Sequence, residues 1–199
     1  MKREDWNRRY AEEELFWSGE PNRFLVEEVV DLPPGRAIDL AAGEGRNAIW
    51  LAERGWRTTA VDFAETGLDK GRRIAAEHGI EIDWIQADLL EFDLGGACFD
   101  LVLLFYLQIP WDEMRIVLGR AAKAVAPGGT FLLVGHDRSN LKQGHGGPSS
   151  EKVLYTADDV AGELAGLRIN EAATRLRPVD HEGTIVQAID CLVRAVADS

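Results

Sequence analysis

Residues Phe99 to Leu107 read FDLVLLFYL, a run broken by a single charge. A strand with one wet face alternates apolar and polar side chains. A strand that is apolar throughout is covered on both faces, as in a parallel sheet held between two layers of helix. The neighbouring segments agree with that arrangement. Ala37 to Leu40 reads as a short strand, Asn47 to Arg54 as a helix stopped by Gly55, and TTAV (Thr58 to Val61) as a second strand. Leu68 to His78 reads as a helix closed by Gly79, and IEIDWIQA as a third strand. After the apolar run comes a helix from about Glu113 to Ala126, a turn at Pro127 to Gly129, and a fifth strand, TFLLVGH. Upstream, Asn22 is placed to cap a helix over Arg23 to Val30.

The alternation stops after His136. RSNLKQGHGGPSSEK, residues 138–152, is polar, glycine-rich and long for a connection, so it is expected to be a flexible, lid-like loop. A helix follows from about Asp158 to Leu164, with Thr156 or Ala157 near its start. RINEAATRLRPV and GTIVQAIDCLVRAV then read as two strands around a turn at Asp180 to Gly183. The expected fold is a single α/β domain over residues 1–199. It is a Rossmann-like open sheet of about seven strands, mostly parallel, with a C-terminal antiparallel hairpin and helices on both faces.

A chain of 199 residues with 46% apolar content can build one ordinary core. Its 34 acidic and 22 basic side chains give a net charge of -12, which argues against nucleic acid and anionic lipid as partners. Cys98 and Cys191 are too far apart in sequence to make a metal knuckle, and no histidine pair has metal-ligand spacing, so no metal is expected. No apolar span reaches membrane length, and MKREDWNRRY has no apolar h-region, so a cytoplasmic location is expected. Nothing in the sequence chooses between monomer and homodimer.

The chemistry is expected at the end of the first strand, in AIDLAAGEGRNAIW. GEGRNA has the spacing G-x-G-x-x-A, one version of the dinucleotide fingerprint, and Asp62 lies about 20 residues on, where a ribose-binding acid belongs. Three features tilt the choice away from a pyrophosphate. Asp39 sits four residues before Gly43, where its charge suits a ligand ammonium better than a phosphate. Asp88, after the third strand, is placed to accept from an adenine amino group, with the backbone of Leu89 beside it. The terminal hairpin replaces the second half of a full dinucleotide domain. S-adenosylmethionine, with an adenine, a diol, an ammonium and a carboxylate but no phosphate, meets these demands. The expected contacts are Asp39, Ala41, Gly43, Glu44, Gly45, Arg46, Asp62, Phe63, Asp88, Leu89 and Phe105. Asn47 is read as a helix cap. At the strand ends facing the crevice, Tyr106, His136 and Asp137 are the catalytic candidates, with His136 the base to test first. The alternative for His136 is a structural role, held by Asp137 or by backbone.

Carried by these residues, the chain resembles class I S-adenosylmethionine-dependent methyltransferases, and more narrowly the small bacterial branch related to tellurite-resistance and thiopurine methyltransferases. The resemblance covers almost the whole chain, through WNRRY, FWSGEPN, DLAAGEGRNAIWLAERGW, VDF, ADL, FDLVLLFYLQIP, APGGTFLLVGHD and LYTADDV. The glycine motif of the family commonly reads DLGCGxGRN; here Ala41 replaces the first glycine and Ala42 the cysteine, and the Ala41 methyl is expected to narrow the approach slightly. The resemblance implies that Arg46 and nearby N-terminal residues hold the methionine carboxylate. It also implies that Tyr10 and Trp17, within a helical cap formed by residues 1–32, close over the cofactor. The acceptor it implies is a small molecule with a thiol or another soft (Se/Te) nucleophile. A small-molecule O- or N-methyltransferase, a non-catalytic S-adenosylmethionine-binding protein and an NAD-dependent oxidoreductase are the alternatives.

Overall fold

A computed structural model describes residues 2–12, 19–181 and 183–199. Helix α1 (Arg3–Glu12) precedes α2 (Arg23–Val29). Asn22 caps α2 as expected: its Oδ1 accepts the Phe24 amide at 2.9 Å, which satisfies an N–H with no partner inside the helix. The chain then alternates through β1 (Arg36–Leu40), α3 (Arg46–Glu53), β2 (Arg57–Asp62), α4 (Glu65–Glu77), β3 (Asp83–Gln86), β4 (Phe99–Phe105), α5 (Trp111–Ala124) and β5 (Val125–His136). It ends with α6 (Asn140–Gln143), a 3-10 turn at Glu151–Val153, α7 (Ala157–Glu163), β6 (Leu167–His181) and β7 (Thr184–Ala197).

The described strands form one seven-stranded sheet in the order β3-β2-β1-β4-β5-β7-β6. β1 to β5 pair in parallel, and β7 runs antiparallel to both β5 and β6. Alternate residues of the middle strands feed two cores. Ile38, Leu40, Val102, Leu104, Phe131 and Leu133 meet α5 and α7 on one face; Ala37, Leu101, Leu103, Phe105, Leu132 and Val134 meet α2 and α3 on the other. Double coverage is the reason the FDLVLLF run carries no alternation. The chain winds outward from β1 to β3, then returns to place β4 beside β1. A crevice therefore opens where the C-terminal ends of β1 and β4 diverge, the usual ligand position in such sheets.

The secondary structure differs from the sequence reading at the 127–129 turn, the third strand and the 138–152 connection. The turn expected at Pro127 to Gly129 lies inside β5. Val125 already pairs with Phe99, and the register slips before Leu101 meets Thr130, so the extra residues form a bulge with Gly128 at φ 75°. A side chain at Gly129 would press to 2.9 Å against the carbonyls of Ala126 and Phe99. The third strand shrinks to Asp83–Gln86. The connection 138–152 is not bare loop: it carries α6 and the 3-10 turn, and Asn140 ties it down. Asn140 Nδ2 donates to Gly146 O at 2.9 Å, and its Oδ1 accepts the Ile189 amide at 2.7 Å. Thr156 starts α7 through a reciprocal capping box with Asp159. No described helix is long and apolar enough to cross a membrane.

Candidate active site

After Leu40 the backbone turns sharply into α3. Ala41, Gly43 and Gly45 all have left-handed φ angles, 61°, 59° and 74°. Two of the three are glycine, which takes this conformation freely; Ala41 carries a penalty of about 1–2 kcal/mol there. Replacement of the motif's first glycine thus affects backbone strain as well as access. Asp62 staples the turn to β2. Its Oδ2 accepts the Gly43 amide and its Oδ1 the Ala64 amide, each at 2.8 Å. Burial raises the Asp62 pKa, and the amides of Ala64 and Gly43 oppose that rise. Each oxygen still has an acceptor site beyond the amide it holds. Gly45 has a packing reason to be glycine whatever is bound, because a methyl there would collide with the Trp84 indole, which also excludes a methyl at Gly71 of α4.

Asp39 is the exceptional group. It is 1% exposed, and neither carboxylate oxygen has a hydrogen-bond partner among the described residues. Burial, reinforced by the nearby Asp62 charge, pushes its pKa up to about 7, with Arg46 opposing. Arg46 opens α3 and is itself largely enclosed. Burial lowers its pKa, while the charges of Asp39 and Glu44 oppose that shift. Arg46 therefore lies within electrostatic reach of the β1 end of the crevice.

The other expected cofactor residues distribute unevenly. Glu44 is buried and paired with Lys70 of α4 at 3.1 Å. Asn47 is not the cap of α3; Gly45 occupies that position, and Asn47 Oδ1 accepts the Asn22 amide at 2.9 Å, which joins α3 to the start of α2. Tyr10 is buried and stacked on Trp6. It lies so close to Gly67 that a methyl there would stand 3.1 Å from its ring and 2.9 Å from the Gly43 carbonyl. This end of α1 therefore sits beside the glycine turn, and Asn7 docks it by accepting the Thr66 amide at 3.1 Å. Trp17 lies outside the described residues. Asp88 and Phe63 are half-buried, and Leu89 and Phe105 are buried. Asp88 Oδ1 accepts the Leu90 amide at 2.9 Å, so it shapes its own turn.

The catalytic candidates separate. Tyr106, at φ 54° just past β4, and His136, the last residue of β5, have ring centroids 5.0 Å apart. Asp137 turns elsewhere: its Oδ1 accepts from the Ser139 amide at 2.8 Å and the Ser139 hydroxyl at 2.6 Å. The acid beside His136 is Asp190 of β7, with Oδ1 at 3.2 Å from Nδ1. The sequence reading missed Asp190. Its Oδ2 also accepts the Tyr106 hydroxyl at 2.8 Å and Arg177 Nε at 2.6 Å. Burial alone would raise the Asp190 pKa; the hydrogen bond from Arg177 and the His136 ring 3.2 Å away outweigh it and hold the carboxyl below its ordinary range. Burial and the adjacent Asp190 charge push the Tyr106 phenol well up, so it stays protonated. The available signal was a lone acid inside the apolar strand QAIDCLVRAV. Among the described residues, no group of three or more His, Cys, Asp or Glu side chains is placed to hold a metal ion.

Residues 37–129, from β1 through the β5 bulge, match the family model described as a methyltransferase domain. This is a class I S-adenosylmethionine-dependent methyltransferase fold. The demethylmenaquinone methyltransferase of Thermus thermophilus is 31% identical over 114 residues, which are 56% of this chain and 52% of that protein. The chain spans about half the length of the curated relatives it matches. The N-methyltransferase NodS of Bradyrhizobium japonicum, solved with S-adenosylhomocysteine, has a TM-score of 0.75 at 16% identity, over 98% of each chain. TehB of Haemophilus influenzae also has a TM-score of 0.75, at 14% identity, over 89% of this chain and 62% of that one. At such identities the two structures share the class I methyltransferase fold with this chain.

Proposed function

We propose that the chain transfers a methyl group from S-adenosylmethionine to a small-molecule acceptor, in the manner of the tellurite-resistance and thiopurine methyltransferases, with a thiol or another soft nucleophile as the accepting atom. The observation that carries the cofactor reading is Asp39. A buried carboxylate without a hydrogen bond, at the end of β1 beside a left-handed glycine turn, repels a pyrophosphate and suits an ammonium. When bound, S-adenosylmethionine supplies a methyl group on a sulfonium that needs no further activation.

The chain's own residues do the rest. Asp39 takes the ammonium, and Arg46 the carboxylate. The Gly43–Gly45 backbone permits close approach, and the free acceptor sites of Asp62 take the ribose diol. Asp88, Leu89 and Phe63 form the adenine pocket. Tyr10, in α1, covers it. Residues 138–152 close over the acceptor and exclude water, and Tyr106 and His136 flank the methyl. Catalysis in such a site is mainly orientation: the nucleophile is held in line with the departing sulfur.

Calorimetry with S-adenosylhomocysteine tests this reading. Binding is expected in the wild type and a drop of tenfold or more, at least about 1.4 kcal/mol, in Asp62→Ala. NADH binding with no S-adenosylhomocysteine binding would replace it with an oxidoreductase. A screen of thiols, chalcogen oxyanions and phenols for homocysteine-type product identifies the acceptor.

A further inference from the structure

Asp190 has no part in holding the cofactor, yet it is the most elaborately bonded acid in the described chain. It is 0% exposed and receives Tyr106 Oη–H, Arg177 Nε–H and, at 3.4 Å, Arg177 Nη2. His136 Nδ1 is buried and makes no well-aligned hydrogen bond among the described residues, but Asp190 Oδ1 stands 3.2 Å from it. A lone pair on Nδ1 would face a carboxylate oxygen at that distance. A proton there turns the repulsion into attraction, so the neutral ring carries its proton on Nδ1 and its lone pair on Nε2. None of the described residues engages Nε2. Gly147 closes on the ring so tightly that a methyl there would come within 2.9 Å of it. The charged and titratable groups facing His136 are Asp190 from β7, Tyr106 from the end of β4, and Arg177 of β6, whose guanidinium lies 5.6 Å from the Tyr106 ring. Arg46 acts across Tyr106.

We infer that Asp190 is a positioning residue that sets His136 as the general base of the methyl transfer, and that the acceptor is therefore a nucleophile carrying a proton, of the thiol or phenol class. The inference rests on the methyl-transfer reading and narrows it. As the acceptor's heteroatom bonds to the methyl carbon, the carbon–sulfur bond breaks and its electron pair stays on sulfur. The acceptor's proton passes to His136 Nε2. The imidazolium so formed, beside the Asp190 carboxylate, carries the positive charge that the sulfonium loses, and then releases the proton to water. Halides and chalcogen oxyanions have no such proton and gain nothing from this pair.

The first test needs no acceptor. Long-range proton–nitrogen NMR of histidine-labelled protein is expected to show neutral His136 in the Nδ1–H tautomer, with the preference lost in Asp190→Asn. An Nε2–H tautomer in the wild type overturns the inference. The second test follows kcat and KM of His136→Gln across pH with phenols, alkyl thiols and acidic aryl thiols. The expected loss in kcat is roughly 10²–10⁴-fold with phenols, with KM little changed and the wild-type rise in rate with pH abolished. The loss should shrink as the acceptor's own acidity brings it to the site ionised. A loss independent of acceptor acidity, or no loss, refutes the base. If Asp190→Asn does not fold, the wild-type tautomer and the His136→Gln profiles still decide. Failure of the wild type to bind S-adenosylhomocysteine strikes the methyl-transfer reading itself; binding with the wrong tautomer strikes only the role of the pair.

Discussion

Two acids, Asp39 at the end of β1 and Asp190 beside the ends of β4 and β5, are almost completely buried and differ in everything else. Asp39 has no hydrogen bond among the described residues, and burial drives it toward the neutral form. Asp190 is surrounded by donors that keep it ionised against the same burial. Desolvation is common to both, so the partner set decides the outcome. An acid without partners costs the ligand-free fold stability and gains by meeting a cation. One that is fully partnered holds its neighbours in place and gains nothing from a further ligand. The β1 half of the crevice therefore holds an acid that a cation would stabilise, and the β4–β5–β7 half an acid already satisfied by its neighbours.

The largest expected effect tests the second acid. Asp190→Ala leaves the half-buried Arg177 guanidinium and Tyr106 hydroxyl without their shared acceptor and is expected to destabilise the protein by about 3–5 kcal/mol in urea unfolding. A loss below 1 kcal/mol would mean that water reaches the cluster and replaces Asp190. Next, Gly45→Ala forces a left-handed alanine into the Trp84 ring and is expected to cost about 2–4 kcal/mol. In a Trp84→Ala background most of the steric part should vanish; strictly additive losses would contradict the packing account of Gly45.

Asp39→Asn goes the opposite way. With its folded pKa raised to about 7 from an ordinary 3.8, Asp39 keeps a proton that the unfolded chain has released in that interval, so its contribution makes the ligand-free protein less stable as pH rises through it. Asparagine removes that slope. At pH 8 the variant is expected to be more stable by on the order of 2 kcal/mol, to match the wild type near pH 4, and to bind S-adenosylhomocysteine more weakly. The depressed pKa of Asp190 gives the opposite slope, a loss confined to pH values at and below the ordinary carboxylate range. Unfolding free energies that rise between pH 4 and 7 in the wild type and not in Asp39→Asn would reverse the comparison. The smallest effect belongs to Ala41→Gly, where relief of the left-handed strain exceeds the added freedom of the unfolded chain, for a gain of about 0.5–1 kcal/mol.

The parallel core was legible because it is written locally. FDLVLLF needs two covering layers, GEGRNA needs a tight strand-to-helix turn, and Asn22 and Thr156 announce their helices. Asp39 was legible for the same reason, as an acid two residues before the turn. The His136 partner was not. Asp137 is adjacent in sequence, but successive residues of a strand point to opposite faces. The acid that shares the Tyr106 side of the sheet lies 84 residues away from it, brought back by an antiparallel strand whose register with β5 no local pattern reveals. The bulge at Pro127 to Gly129 escaped for a related reason. Proline and glycine mark both turns and bulges, and only the pairing of Val125 with Phe99 distinguishes them.

The Trp84 indole is wedged against Gly45, which caps α3, and against Gly71 of α4. One aromatic of the third strand therefore sets how closely the glycine turn and α4 can approach that strand, and a smaller side chain at that position would leave a void between all three.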